Sequence, residues 1–400
     1  MNNYDDYISS RLGGKDFYQT GYYKFEKFSK IKKNYLKTAP YELLDFGIGE
    51  SDQMPDSSVI NELCKQAYVY ENRIYADNGI EDFKLAVKKH LKEIYDLDCE
   101  KKQLEVNHVM GAKSALCIIP FAFINQNEYI ICTTPGYQVL PTISKWLMGK
   151  VYEVPLLKEN EFLPDLEKIP EEVYQNTKIF LINYPNSPTG AIATKQFYEK
   201  LIMKALKYHF LIVNDCVYGP LTYFNQPLSI FNVENSEKCC IEVHSLSKGF
   251  NMTGFRIGFI VANAPLIHIL KEVKDNMDSG QYIPIQYAAI KAFDIQKEFL
   301  NHLRNFYLNR LHKISSILNH HHLECKVPDA TFYLYVKVPK SFKTAEDFTL
   351  YLLYQAGIYT IPWDEAGHYV RFAMTYHIKT TEEDFLNELD KRLTTLSLLK

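Results

Sequence analysis

The stretch CIEVHSLSKGFNMTGFRIGFIVA (240–262) holds two apolar runs, CIEVHS (240–245) and RIGFIVA (256–262), joined by a glycine-containing connection. Runs this short and this apolar read as strands buried on both faces of a sheet. The pattern recurs upstream in YIICTT (129–134), KIFLIN (178–183) and FLIV (210–213), with helix-length segments such as Thr194–Tyr208 between them. Strand and helix alternating in this way predict an α/β fold, a mostly parallel sheet sandwiched by helices, from about 50 to 290.

Past a long helical stretch at Ile285–Asn319 the pattern changes. TFYLYVKV (331–338) and YVRFAMTY (369–376) read as strands. Thr344 with Asp347 three residues on heads a helix that Gly357 stops, and Thr381 with Asp384 heads a closing amphipathic helix. The expected division is an N-terminal arm with part of a small domain (1–50), a large domain (51–295) and a C-terminal small α+β domain (296–400).

Composition narrows the function. Of 400 residues, 46% are hydrophobic and 23% charged, enough for a sizeable core and against wholesale disorder. Lys plus Arg is 45 against 48 Asp plus Glu, so the strong positive excess of a nucleic-acid binder is missing. The eight cysteines are scattered without a Cys-x-x-Cys, as in a protein that keeps its thiols reduced. The opening MNNYDDYISS lacks a basic stretch followed by an apolar one, and the longest apolar run, Ala115–Ile124, contains Pro120 and is too short to span a bilayer. A cytoplasmic protein is the expectation. His320, His321 and His322 could bind a metal, but histidines exposed after a helix are the simpler reading, and no metal is expected.

The chemistry concentrates in HSLSKGFNMTGFRIG (244–258). A solvated loop charge would account for Lys248 alone, but not for Ser245 and Ser247 before it and Arg256 eight residues after it. Hydroxyls and a guanidinium beside an amine make a phosphate cradle next to a nucleophile. A lysine that attaches covalently to an aldehyde cofactor carrying a phosphate needs this grouping.

Ser-x-Ser-Lys-x-Phe-Asn-x-x-Gly-x-Arg-x-Gly resembles the cofactor-lysine motif of fold-type I aminotransferases, which use pyridoxal 5′-phosphate (PLP). The resemblance implies that Lys248 carries the cofactor and is the catalytic base. In VNDCVYGPL (213–221) it implies that Asp215 holds the protonated ring nitrogen and that Tyr218 hydrogen-bonds the ring oxygen O3′. In VMGAKSAL (109–116) it points to Gly111, Ala112 and Lys113 for the phosphate, at a turn whose backbone N–H groups suit an anion. Tyr137 would stack on the ring, and Arg371 in YVRFAM would clamp the substrate α-carboxylate. NYPNSPTG (183–190) is similar to the family's Asn-Pro-Thr-Gly turn but has Ser187 before Pro188. Either Asn186 or Ser187 would then contact O3′.

The likeness is strongest to the LL-diaminopimelate branch of that family and runs from about Tyr22 onward, through DFGIGESDQMP (45–55), NRIYADNGI (72–80) and IPWDEAGHYVRF (361–372). It implies substrate contacts from Tyr23, Gly49, Lys113, Ser279 and Arg371, and a homodimer in which Tyr75 reaches the partner's cofactor phosphate. At Ser279 the commoner residue of the family is asparagine. The distal ammonium of diaminopimelate wants a carboxylate or carbonyls, and Asp77 or Glu50 are the nearest candidates in sequence. Other PLP enzymes, such as an aspartate or aromatic aminotransferase or a cystathionine-type β-lyase, would share Lys248, Asp215, Tyr218 and Arg256. A regulator on the same fold would need a DNA-binding domain, and the first 45 residues show no helix-turn-helix pattern.

Overall fold

The computed structural model describes residues 4–14 and 24–396. Twelve strands are found among them: β1 (Leu44–Asp45), β2 (Leu104–Val109), β3 (Tyr129–Thr134), β4 (Lys150–Pro155), β5 (Thr177–Ile182), β6 (Leu211–Asp215), β7 (Cys240–Ser245), β8 (Gly258–Asn263), β9 (Tyr333–Lys337), β10 (Ile358–Tyr359), β11 (Ile361–Trp363) and β12 (Tyr369–Ala373). Seven form one sheet in the order β2-β8-β7-β6-β5-β3-β4. From β4 to β7 every pair is parallel, and β8 runs antiparallel to both neighbours. The order has a consequence for function. The carboxyl ends of β2, β3, β5, β6 and β7 and the amino end of β8 all lie along one edge, where α/β sheets bind ligands.

The quoted apolar runs form the middle of that sheet, and every residue of CIEVHS is buried. The two strands without such a run are the outer ones. β2 carries Asn107 and His108, and β4 exposes Lys150 and Pro155, so neither shows a continuous apolar pattern. Helices cover both faces. In Lys195–Tyr208 the Thr194 hydroxyl accepts from the Phe197 N–H, and Phe197, Tyr198, Leu201, Ile202 and Ala205 form the buried stripe.

The expected long helix is two helices, Ile283–Asp294 and Gln296–His320, which meet at Ile295. At this break the side chain of Gln296 turns to the helix Glu81–Tyr95, contacting buried His90 and donating to Glu93 at 2.6 Å. Apolar periodicity runs through such a joint unbroken, which is why it reads as one element.

A second body of apolar side chains surrounds the antiparallel sheet β11-β12-β9. The Thr344 and Thr381 hydroxyls cap the helices Ala345–Ala356 and Glu382–Thr394, and Gly357, at φ 63°, ends the first of them. β1 pairs in parallel with β10, Leu44 opposite Ile358 and Asp45 opposite Tyr359, so each residue lies 314 positions from its partner in the chain.

Candidate active site

Lys248, Asp215 and Arg256 all sit at the ligand-binding edge because their elements end there. β7 closes with Ser245, whose side chain caps the short helix Leu246–Gly249 by accepting from the Ser247 N–H at 3.1 Å. Arg256, in a left-handed conformation at φ 55°, precedes β8. Its Nη1 donates to the Thr253 carbonyl at 2.8 Å and to Ser247 Oγ at 3.5 Å. Facing it is Gly111, at φ 80°, the residue before the helix Ala112–Phe123. A Cβ on Gly111 would stand 2.6 Å from Arg256 Nη2. The glycine therefore lets the guanidinium approach the first N–H groups of that helix, which is an arrangement suited to a phosphate.

Asp215 closes β6 and is buried. Its Oδ1 has no hydrogen-bond partner among the described residues. Burial pushes its carboxyl up to about 7, against a lowering by the Val217 N–H. A buried carboxylate left in this way is complete only when a cationic donor stands against it. Asn183 supports the position from β5's end, donating from Nδ2 to the Asp215 carbonyl at 2.6 Å while its Oδ1 accepts from the Ser187 N–H at 2.8 Å.

The third group lies between the two bodies. Lys248 Nζ donates to the Gly49 carbonyl, and burial lowers the lysine's pKa. Tyr218 Oη and Tyr333 Oη share a hydrogen bond of 2.8 Å. The Arg371 guanidinium lies 4.2 Å over the Tyr333 ring and donates from Nη2 to the Gly47 carbonyl at 3.0 Å. Its Nε is buried with no partner among the described residues. An orphaned guanidinium donor and an orphaned carboxylate flank the lysine region: these residues fit a phosphorylated aldehyde with a cationic ring, together with a carboxylate substrate.

The remaining expected residues separate. Tyr137, after β3, is half-buried against the core. Lys113 is exposed on the first turn after Gly111. Asn186 Oδ1 accepts from the Thr189 N–H at 3.2 Å and from its hydroxyl at 2.7 Å, while Nδ2 reaches the Pro135 carbonyl at 3.5 Å. Ser187 is half-buried, and its hydroxyl makes no hydrogen bond among the described residues. Glu50 is exposed beside Lys248, whose charge it favours. Ser279 and Asp77 are exposed and belong to a different cluster, where Lys274 donates to the Asp77 carbonyl and to Asp278. Tyr75 is 82% exposed. Tyr23 lies outside the described residues. His321 pairs with Asp390 at 2.8 Å, so the histidine run is part of the surface packing.

Sequence reading missed Tyr333 and Asn183. Tyr333 sits inside an aromatic strand pattern that reads as core, and only its facing residues disclose its position. Asn183 opens the proline-rich turn already singled out. Also unread was a buried network in which Glu242 accepts from Ser229 Oγ, the Ile230 N–H, Asn214 Nδ2 and His244. With Cys216 it is the group of possible metal ligands found among the described residues, and those four donors already satisfy its acid.

Comparison with known proteins agrees with this geometry. The family model for aminotransferase class I and II matches residues 41–384. An LL-diaminopimelate aminotransferase of Methanocaldococcus jannaschii is 44% identical, over 98% of this chain and 97% of that protein. One from Methanococcus maripaludis is 40% identical, over 97% and 96%. Among solved structures, substrate-bound BacF from Bacillus subtilis superposes with a TM-score of 0.87 at 25% identity, over 96% of each chain. An aminotransferase from Staphylococcus aureus gives 0.82 at 30% identity, over 90% and 95%. The chain belongs to the aminotransferase class I and II family.

Proposed function

We propose that this PLP-dependent aminotransferase moves an amino group between LL-2,6-diaminopimelate and 2-oxoglutarate, with tetrahydrodipicolinate and glutamate as the other pair. The observation that carries the reading is the buried Asp215 Oδ1 and Arg371 Nε left without partners among the described residues, with Arg371 facing Lys248, in a chain whose relatives at 44% and 40% identity bear that name. The step would serve lysine and cell-wall precursor synthesis in the cytoplasm. No helix among the described residues is long and apolar enough to cross a membrane.

PLP, when bound, supplies an aldehyde carbon that carries the amino group and a cationic ring that draws electrons from the substrate α-carbon. The rest is work for this chain. Gly111, Ala112, Lys113, Ser245, Ser247 and Arg256 would hold the phosphate. Asp215 would keep the proton on the ring nitrogen. Tyr218, with Asn186 or Ser187, would hydrogen-bond the ring oxygen, and Tyr137 would stack on the ring. Arg371 takes the α-carboxylate through Nε and Nη2. Lys248 Nζ would serve as the base for the substrate α-proton, and burial favours its neutral, basic form. Gly49 and Lys113 would face the distal half of the substrate.

A homodimer completes the site in this reading. Tyr68, Tyr70, Ile74 and Tyr75 are exposed within one short stretch of chain, and Tyr282 donates to the Ala67 carbonyl at 3.5 Å beside it. Such a patch suits a second copy, with Tyr75 reaching the other phosphate.

The test is a panel of amino donors with 2-oxoglutarate, following glutamate. LL-diaminopimelate is expected to give the highest kcat/KM. Preference for aspartate or an aromatic donor would select the other aminotransferase reading, and pyruvate with ammonia would identify a lyase.

A further inference from the structure

Tyr333 meets Tyr218, Arg371 and Gly49 in the region between the two sheets. Its hydroxyl lies 2.8 Å from the Tyr218 hydroxyl. Its ring lies under the Arg371 guanidinium, 4.2 Å from it. Gly49, whose carbonyl accepts from Lys248, has no room for a side chain because a Cβ there would collide with the Tyr333 hydroxyl. The ring is held edge-on by Phe332 at 4.8 Å and by Tyr218 at 5.7 Å, and the residue is 2% exposed. A tyrosine kept only for packing would not need its hydroxyl at a site where the opposing position must be glycine.

We propose that Tyr333 is a positioning residue acting through two others. Its hydroxyl orients the Tyr218 O–H, and its ring fixes the Arg371 guanidinium; the inference rests on the active-site reading above. A phenol pair this close shares one proton between two oxygens, and the outer O–H is free to donate elsewhere. With Tyr333 donating, Tyr218 aims its own proton at the ring oxygen. That oxygen bears negative charge in the form with lower proton occupancy, so the relay favours that form at neutral pH. The charged and titratable groups facing the pair are Arg371 and Asp215 about Tyr218, and Arg371, Glu50 and Arg256 about Lys248. All of them remain in a Tyr333→Phe variant, so the hydroxyl is the single change. The ring works separately: a guanidinium held flat on an aromatic face keeps its fork directed at a carboxylate.

The experiment titrates the visible absorbance of the resting PLP-loaded protein, without substrate. Tyr333→Phe is expected to raise the apparent pKa of the chromophore by about half a unit or more, the worth of one neutral hydrogen bond, with KM for the amino donor little changed. Tyr333→Leu, which also removes the stack, is expected to raise that KM by about tenfold. Circular dichroism and the visible spectrum confirm that each variant is folded and loaded. An unchanged titration in Tyr333→Phe overturns the hydroxyl's role, and equal KM for the two variants overturns the ring's. If the wild-type protein takes up no PLP, it is the active-site reading that fails.

Discussion

Lys248 Nζ donates to the carbonyl of Gly49, 199 residues earlier in the chain. The two preceding carbonyls are used in the same way, Gly47 by Arg371 Nη2 at 3.0 Å and Ile48 by the Thr375 hydroxyl at 2.5 Å. Three successive carbonyls thus tie one short segment to β7's end and to the strand that carries Arg371. The spacing between the base and the carboxylate clamp is set by this segment.

Its anchor is testable. Just beyond it, Asp52 accepts from Arg310 Nη1 at 2.8 Å, and both side chains are almost wholly buried. Arg310 also donates to the Met374 carbonyl at 2.7 Å. Removing one member leaves a buried charge unpaired, at about 3–5 kcal/mol. Arg310→Ala is expected to lower unfolding stability by that order in urea titrations, and kcat/KM more than cofactor affinity.

Asp215 predicts how the cofactor's effect on stability depends on pH. Burial raises its carboxyl to about 7 in the cofactor-free protein. A folded pKa above the unfolded value of about 4 means that the contribution is fully present at low pH and lost as pH rises through about 7. A bound cationic ring removes that loss. The rise in Tm on adding PLP should therefore be larger at pH 8 than at pH 5, and Asp215→Asn should flatten the difference. Thermal scans at the two pH values check it.

Gly111 has the positive φ of 80° and the close guanidinium. Gly111→Ala strains the backbone and pushes Arg256 away. The expected result is PLP affinity weakened by about tenfold or more, measured by fluorescence quenching, with a smaller effect on Tm.

Glu50 and Asp77 were equal candidates for the distal ammonium on sequence alone. Glu50 is the one that faces Lys248, whereas the Asp77 carbonyl is held by Lys274 in another cluster. Glu50→Gln is expected to raise KM for diaminopimelate by about fivefold to tenfold, the worth of one exposed-to-half-buried charge contact, and to leave KM for glutamate unchanged. Asp77→Asn is expected to change neither. Steady-state kinetics with both donors decide between them.

What was legible in the sequence follows from how each signal arises. The central strands announce themselves because burial on two faces leaves only apolar side chains, as in CIEVHS. The Thr344 and Thr381 caps are local chemistry and also read directly. β2 and β4 do not, since a strand at the sheet's margin tolerates polar residues such as His108 and Lys150. Lys248 and Arg256 are legible because one short connection holds them both. Tyr333 and Asn183 are not, because their importance lies in what faces them, Tyr218 and Gly49 in one case and the Asp215 carbonyl in the other.

The central claim is that Lys248 is the point of covalent attachment for PLP. Incubating the protein with PLP, reducing with borohydride and mapping the peptides tests it most directly. The account predicts one stable pyridoxyl adduct, on the peptide that contains Lys248, and none in Lys248→Ala. An unlabelled protein, or an adduct confined to another lysine, would contradict it.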